Sequence, residues 1–373
     1  MMKDSTKKSS RTDIQDMVAP QFRALEPYSP IEPVDVLSPR LGIPADKLVK
    51  LDGNENPYGP SPKAREALAS FPWYHIYPDP LQRNLRAALS GYTGVGIDHI
   101  VAGSGSDELI DLIMRLFITS GDKVISCPPT FGMYRFNTEV CGGRILEIPR
   151  KEGLHLDIEA IKNAADERTK LIFIASPNNP TGNALGLEEV DAILGTGAVV
   201  VIDEAYYEFC GCTAVPMVAE NERLIVLRTF SKWAGLAGLR VGYGIFPAYI
   251  ADLVLRMKPP YNVNVAALVA AMATLEDLDE QRKSIQAIVA ERKRLFSELS
   301  NIPFLKPMPS QANFILCTLN QGSAGNLKRF LVERGILIRQ IESAPFTNSI
   351  RVSVGKPEDT DEFLKAVRQW KVQ

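Results

Sequence analysis

The chain has 373 residues, which is enough for a large hydrophobic core and for two domains. Hydrophobic residues make up 45% of the sequence and charged residues 23%, as in an ordinary soluble globular protein. The 42 Lys and Arg residues nearly balance the 44 Asp and Glu residues, and the formal net charge is −2. This balance gives no electrostatic reason to expect a nucleic acid or an anionic membrane as a partner.

The cysteine content argues against disulfides and a structural metal. Of the five cysteines, only Cys210 and Cys212 are close in sequence, and no Cys-x-x-Cys motif occurs. The three histidines are scattered, so no zinc-binding spacing is present. We therefore expect reduced thiols and a cytoplasmic protein. No run of 18 apolar residues occurs, so no membrane span is predicted.

Residues 1–48 are predicted to form an N-terminal arm. They contain six prolines and little hydrophobic periodicity, a pattern that predicts extended chain lying over another part of the protein. Residues 1–12 are rich in Lys and Ser and lack an apolar stretch, so they are not a secretory signal. We expect a disordered arm there. If these residues are instead the remainder of a transit peptide, the protein belongs in the plastid stroma.

Residues 49–264 alternate helical patterns with short apolar strands and form the predicted large domain. Strands that are apolar throughout are buried on both faces, and such alternation predicts an α/β fold with a mostly parallel central sheet. The predicted strands are 123–126, 144–148, 171–175, 198–202, 224–227 and 241–246, and the predicted helices are 107–117, 157–165 and 187–194. Ligands of such sheets lie at the carboxyl ends of the strands.

Residues 265–373 form a predicted smaller α+β domain. Two long helical patterns, 265–275 and 278–300, open it. The strands predicted after them are 313–317, 336–339 and 350–354, and the helices are 324–334 and 360–370. This is the usual size of a small domain.

The segment 103–108, Gly-Ser-Gly-Ser-Asp-Glu, opens a predicted helix. Its small residues allow backbone amides to reach an anion at the positive helix N-terminus. The third glycine of a dinucleotide motif is missing, because Glu108 stands there. The segment therefore predicts a cup for one phosphate, with Ser106 and Asp107 as amide donors. Asp107 has the alternative interpretation of a helix cap.

Lys232 lies in the segment 229–240, which follows the predicted strand 224–227. A lysine after a buried strand can be desolvated, which lowers its pKa and makes the amine nucleophilic. Ser231 and Arg240 of the same segment can supply donors for a phosphate. The alternative is a surface lysine with a structural arginine.

Other candidate residues also follow or lie in predicted strands. Asp203 directly follows the strand 198–202 and, on its own, could be a helix cap or a metal ligand. Asn179 lies in a turn-rich segment after the strand 171–175, and Phe131 follows the strand 123–126. Arg339 and Arg351 each lie in a strand of the small domain, where a guanidinium can bind phosphate or carboxylate bidentately.

In this order, the segments resemble those of fold-type I aminotransferases. The string Ser-Lys-x-x-x-Leu-Ala-Gly-Leu-Arg, residues 231–240, is similar to the cofactor-lysine motif of the histidinol-phosphate aminotransferase family. Asn-Glu-Asn-Pro-Tyr-Gly at 54–59 resembles another segment of that family, and the likeness runs from about residue 28 to the last helix. It implies a large domain with a mostly parallel sheet, a smaller α+β C-terminal domain and an N-terminal arm.

The resemblance implies pyridoxal 5′-phosphate as cofactor, held as a Schiff base on Lys232, which would also shuttle the proton. Asp203 would stay ionised and keep the pyridine nitrogen protonated, and Tyr206 would bond the cofactor's phenolic oxygen. Further cofactor contacts are implied for Ser106, Asp107, Phe131, Asn179, Ser231 and Arg240. Phe131 departs from the family, in which a tyrosine usually stacks on the ring.

The resemblance also implies the substrates and the assembly. Amino groups would pass between glutamate or 2-oxoglutarate and histidinol phosphate or imidazole-acetol phosphate, a step of histidine biosynthesis. The implied substrate residues are Tyr28, Asn54, Tyr261, Arg339 and Arg351, with Arg351 as the anion anchor. Tyr77 would reach across a homodimer interface to the partner's cofactor phosphate. Ile76 stands where the family commonly has arginine.

Four alternatives remain open. An aromatic amino-acid aminotransferase keeps the fold and changes the substrate, whereas a threonine-phosphate decarboxylase keeps the fold and changes the reaction. A regulator that lacks enzyme activity would need an appended DNA-binding module, for which the first 48 residues offer no pattern. A nicotinamide dehydrogenase leaves the Lys232 segment unexplained.

Overall fold

The computed structural model describes residues 13–23, 25–27 and 30–372. The helices are α1 Ile14–Met17, α2 Pro20–Arg23, α3 Val34–Leu41, α4 Pro62–Ser70, α5 Arg83–Thr93, α6 Gly105–Phe117, α7 Met133–Val140, α8 Ile158–Ala164, α9 Leu187–Leu194, α10 Val215–Val218, α11 Ala248–Met257, α12 Val265–Leu275, α13 Leu278–Ser300, α14 Ala324–Val332 and α15 Pro357–Gln369. The strands are β1 Val49–Leu51, β2 Ile100–Gly103, β3 Lys123–Ser126, β4 Arg144–Glu147, β5 Thr169–Ala175, β6 Val199–Asp203, β7 Leu224–Thr229, β8 Gly242–Ile245, β9 Leu305–Pro307, β10 Phe314–Leu319, β11 Ile336–Ile341 and β12 Ser349–Ser353.

Seven strands form the larger sheet in the order β2-β8-β7-β6-β5-β3-β4. The pairs from β7 to β4 are parallel, and β8 runs antiparallel to both of its neighbours. Strands β5, β6 and β7 are almost entirely buried, as expected for strands covered on both faces. The prediction of an α/β fold with a mostly parallel central sheet is therefore confirmed.

Apolar side chains on the two faces of this sheet belong to two separate cores. Along β5, Ile172 and Ile174 pack into one cluster, whereas Leu171 and Phe173 pack into the other. Successive side chains of a strand point to opposite faces, so each cluster lies on its own side. The first cluster continues into the second sheet through residues such as Phe314. One continuous core thus joins the two sheets on that side.

The smaller sheet has five strands in the order β1-β11-β12-β10-β9. Strand β1 pairs in parallel with β11, with Val49 opposite Ile336. The other strand pairs of this sheet are antiparallel. The three residues of β1 therefore lie in the smaller sheet, although they open the range predicted for the large domain. The boundaries near residues 48 and 264 stay a prediction.

The described part of the N-terminal arm contains three helices, α1, α2 and α3, where extended chain was predicted. Helix α3 begins after Pro33, buries Leu37 and ends at Gly42, whose φ of 67° is left-handed. Pro39 lies inside this helix. The proline-rich composition was therefore misleading, because Pro20 and Pro33 stand at or just before a helix start, where proline is tolerated, and Pro39 stands near the end of α3.

Within the described ranges, no helix is both long enough and apolar enough to cross a membrane.

Candidate active site

The carboxyl ends of β3, β5, β6 and β7 open into a cavity of about 290 Å³. This is the edge at which ligands bind in parallel α/β sheets. Most of the predicted site residues line it, although they come from segments far apart in sequence. They are Asn54, Ser106, Asp107, Phe131, Asn179, Asp203, Tyr206, Ser231, Lys232, Arg240 and Arg351.

Lys232 lies in the loop after β7 and extends its amine into the cavity. Its Nζ donates to the backbone carbonyl of Gly53 at 3.0 Å. Burial lowers the pKa of Lys232 to about 8, and the positive charge of Arg351 acts in the same direction. The amine is therefore far more often unprotonated at neutral pH than a surface lysine.

Asp203 ends β6 and is 5% exposed. Its Oδ2 accepts a hydrogen bond of 2.7 Å from the hydroxyl of Tyr134, and its Oδ1 accepts one of 3.1 Å from the Ala205 amide. Burial raises the pKa of Asp203 to about 6, and these two hydrogen bonds oppose the rise. The carboxyl group is therefore mostly ionised at pH 7, and a cation beside it would lower its pKa.

Tyr134 was not among the predicted site residues, yet it lines the cavity and is fully buried. Its ring stacks on Phe173 at a centroid distance of 5.0 Å and meets Phe131 edge-on at 5.7 Å. A buried tyrosine hydroxyl needs a polar partner. Its place three residues after Phe131 was the available sequence signal, but the partner lies 69 positions away.

Arg351 and Asn54 bring the smaller sheet to the cavity. The Nη1 of Arg351 donates to Asn179 Oδ1, and Nη2 donates to the Asp52 carbonyl, each at 2.6 Å. Asn54 donates through Nδ2 to the Tyr206 hydroxyl at 3.0 Å. Residues predicted separately as cofactor and substrate contacts are therefore hydrogen-bonded to one another.

One end of the cavity is suited to an anion. The N-terminus of α6 lies there, with Ser106 and Asp107 in the lining, and the Arg240 guanidinium is 2.9 Å from Asp107 Oδ2 and 3.4 Å from Ser231 Oγ. The Asp107 carboxylate pairs with Arg240, so the alternative of a helix cap is not what the structure shows. Thr229, which was not predicted, also lines this end and donates to Ser231 Oγ at 2.9 Å.

Among the described residues, three predicted site residues are not brought into the cavity. Tyr77, 78% exposed, and Tyr261, 40% exposed, stack on each other at 4.5 Å on the surface. Arg339 lines a neighbouring cavity, next to α3 and α14. Tyr28 lies outside the described residues. In the described part of the chain, no group of three His, Cys, Asp or Glu side chains is placed to hold a metal ion.

Comparison with known proteins identifies the class that this fold and site define. Residues 46–367 match the family described as aminotransferase class I and II. The chain belongs to this family and is a pyridoxal-phosphate-dependent transaminase. The predicted enzyme class and cofactor are therefore confirmed.

Particular relatives carry a more specific name. A histidinol-phosphate aminotransferase of Dehalococcoides mccartyi (strain CBDB1) is 50% identical over 361 residues, 97% of each chain. A chloroplastic histidinol-phosphate aminotransferase of Nicotiana tabacum is 46% identical, over 99% of this chain and 90% of that one. The crystal structure of histidinol-phosphate aminotransferase from Sinorhizobium meliloti, in complex with pyridoxal-5′-phosphate, has a TM-score of 0.85 and 25% identity, covering 98% and 99% of the two chains. The predicted family resemblance is confirmed.

The cavity also fits this cofactor on structural grounds. An amine with a lowered pKa faces it, a buried carboxylate lies at a neighbouring strand end, and a helix N-terminus with an arginine and serines forms an anion cup. A Cβ atom on Gly105 would lie 2.6 Å from Arg240 Nη2, so the cup depends on glycine at that position. Aldehyde, pyridine nitrogen and phosphate each have a chemically matched group.

Proposed function

We propose that the chain is a histidinol-phosphate aminotransferase. It would transfer the amino group of L-glutamate to imidazole-acetol phosphate, giving histidinol phosphate and 2-oxoglutarate in histidine biosynthesis. The observation that carries this proposal is the nearly full-length similarity to histidinol-phosphate aminotransferases, at 46–50% identity. The cytoplasm is the proposed compartment, with the plastid stroma as the alternative suggested by the chloroplastic relative.

Pyridoxal phosphate, when bound, supplies a ring that accepts electrons from the reacting carbon. The chain would contribute four functions around it. Lys232 would hold the aldehyde carbon and move the proton. Asp203 would keep the ring nitrogen charged, Tyr206 and Asn179 would bond the phenolic oxygen, and Phe131 would pack on the ring face. The phosphate ligands would be Ser106, Asp107, Ser231 and Arg240.

Arg351 is the proposed anchor for the substrate anion. Its guanidinium lines the same cavity as Lys232, and a planar fork of donors can bind a phosphate or a carboxylate. One anchor would therefore serve histidinol phosphate in one half-reaction and glutamate in the other. Asn54, Tyr261, Arg339 and Tyr28 are proposed to contribute further substrate contacts.

We also propose that the active unit is a homodimer. A surface groove beside Tyr77 is lined by Phe71, Trp73, Ile76 and apolar residues of α12. Trp73 is 58% exposed and Ile76 is 52% exposed, and an aromatic patch of this kind marks an interaction surface. A second copy covering the groove would bring Tyr77 to the partner's phosphate cup.

Steady-state kinetics test the substrate. The enzyme should convert histidinol phosphate and 2-oxoglutarate to imidazole-acetol phosphate and glutamate, with a kcat/KM for histidinol phosphate at least about 100-fold above that for phenylalanine. Phenylalanine as good as histidinol phosphate would instead make the chain an aromatic aminotransferase. Release of carbon dioxide from threonine phosphate would make it a decarboxylase.

A further inference from the structure

A buried ion pair lies next to the site but outside the cavity. The side chains of Glu204 and Arg228 are 1% and 3% exposed, and their Oε2 and Nη2 atoms are 2.9 Å apart. Arg228 Nε donates to the same oxygen at 3.0 Å, so the guanidinium binds Glu204 through two nitrogens. Desolvating two charges is costly, so such a pair is weak evidence for added stability.

Further hydrogen bonds fix both members of the pair. The Ala214 amide donates to Glu204 Oε1 at 2.7 Å, and the Thr213 hydroxyl donates to Oε2 at 2.9 Å. Arg228 Nη2 donates to Thr213 Oγ1 at 2.7 Å, and the guanidinium carbon lies 3.5 Å from the centre of the Tyr207 ring. The pair therefore has one defined geometry.

The pair connects the two strands that carry the central site residues. Glu204 directly follows Asp203 at the end of β6, and its amide donates to the Leu227 carbonyl of β7 at 2.8 Å. Arg228 lies in β7, four residues before Lys232. Asp203 and Thr229 line the cavity, whereas Glu204 and Arg228 do not, because successive residues of a strand point to opposite faces.

We propose that Glu204 and Arg228 are positioning residues that fix the Asp203 carboxylate relative to the Lys232 amine. The inference rests on the proposed roles of those two residues toward the cofactor, and it does not depend on the substrate. A displacement of either strand end would change how the pyridine ring is held between the two groups. Small misplacements of reacting groups are known to cost rate heavily.

A second buried carboxyl group, that of Glu208, faces the same arginine. Burial raises the pKa of Glu208 to about 8, while the Arg228 charge opposes this rise. Its Oε1 accepts from the Tyr92 hydroxyl at 3.3 Å, and Tyr243 lies opposite Arg228 on β8. At neutral pH Glu208 is therefore mostly uncharged, and Arg228 serves Glu204 as counter-ion.

The test compares Glu204→Gln, Arg228→Lys and the double variant Glu204→Gln/Arg228→Met with the wild type, all loaded with pyridoxal phosphate. In the double variant the glutamine carbonyl still accepts from the Ala214 amide, and no unpaired charge remains. Replacing a buried pair without leaving a charge often preserves stability. The control is Glu291→Gln, which weakens another ion pair away from the cavity, in which Glu291 is 7% exposed, Arg294 is 38% exposed and the two side chains are 2.7 Å apart.

We expect the double variant to melt near the wild-type temperature. The visible circular dichroism of its bound cofactor should nevertheless differ from that of the wild type. Its cofactor affinity and kcat should fall at least about tenfold. Glu291→Gln should lower only the melting temperature. The proposal would be overturned if the double variant had wild-type dichroism, wild-type kcat and wild-type stability. Failure of all three variants to fold would also overturn it.

The wild-type spectrum separates the two levels of inference. A wild-type protein with no bound-cofactor absorbance would contradict the proposed site and this inference together. A normal wild-type spectrum that every folded variant reproduces would contradict this inference alone.

Discussion

Lys232 and Arg351 share one cavity, and burial and like charge together weaken the protonated form of the amine. The amine pKa of about 8 means that the nucleophilic form becomes dominant above that pH. A solvated lysine would reach the same state only near its usual value of about 10.4. The environment of the cavity thus favours the unprotonated, nucleophilic amine before any ligand binds.

We expect apoenzyme to capture pyridoxal phosphate faster as the pH rises, with a midpoint near 8 and a plateau above it. Arg351→Gln removes a positive charge, so the pKa of Lys232 and the midpoint should both rise. Stopped-flow absorbance measures this rate, and Arg329→Gln on the exposed face of α14 is the charge-matched control. A midpoint that Arg351→Gln leaves unchanged would show that the two charges do not interact.

Tyr134→Phe tests the hydrogen bond to Asp203. The variant keeps the ring packing and removes a donor that favours the ionised carboxylate, so the pKa of Asp203 should rise above about 6. The acid limb of the kcat profile should then move to higher pH, and kcat at pH 7 should fall several-fold. Tyr92→Phe, which removes a hydroxyl bonded to Glu208 outside the cavity, should leave the profile in place.

Family resemblance and residue order were enough to predict most of the side chains around the cavity, although Asn54, Ser106 and Asp107 follow β1 and β2, two strands that the sequence did not reveal. They were not enough to predict which residues bond one another. The contact between Arg351 and Asn179 joins positions 172 apart, and that between Asn54 and Ser353 joins positions 299 apart. Such pairings depend on how two sheets meet, which local patterns do not encode.

At the scale of elements, length alone did not decide which predictions held, because the four-residue strands β3, β4 and β8 were predicted and the longer helices α5 and α11 were not. The long helices α12 and α13 and the strands β5 and β7, with their apolar runs at 171–175 and 224–227, carry strong signals, and they lie close to their predicted bounds. Strands β1, β2 and β9 have three or four residues and were missed. Three residues are too few to show alternation, so pairing with a neighbouring strand defines them.

Gly105→Ala tests the start of α6. Gly105 has a φ of 78°, and an added Cβ would lie 2.6 Å from Arg240 Nη2, so the change should displace the guanidinium. We expect at least about tenfold weaker binding of pyridoxal phosphate, measured by fluorescence titration, and a stability loss of about 1–3 kcal/mol. Gly91→Ala inside α5, where nothing lies within 4 Å, is the matched control and should be neutral or stabilising.

At the scale of the whole molecule, the proposed homodimer predicts that inactive subunits complement each other. Lys232→Ala and Tyr77→Ala should each be poorly active alone, the first through loss of the amine and the second through loss of the partner's phosphate contact. Mixed after subunit exchange, they form dimers with one intact site, and activity should recover to about a quarter of wild type.

Subunit mixing followed by the glutamate assay measures this recovery, with light scattering to report mass. The control variant is Tyr249→Phe, a change on the exposed face of α11, and it should be active on its own. Mixtures that stay as inactive as their parents, in dimers shown to have exchanged, would place Tyr77 outside the neighbouring site.

Strand β1 gives the molecule a mechanical property. It belongs to the smaller sheet, and only one residue separates it from Gly53, whose carbonyl holds the Lys232 amine. Arg351, from the same sheet, donates a hydrogen bond to Asn179 across the cavity. A tilt of the smaller sheet would therefore lengthen the Lys232–Gly53 and Arg351–Asn179 hydrogen bonds in one movement. Binding of an anion by Arg351 and release of the Lys232 amine would then be mechanically coupled.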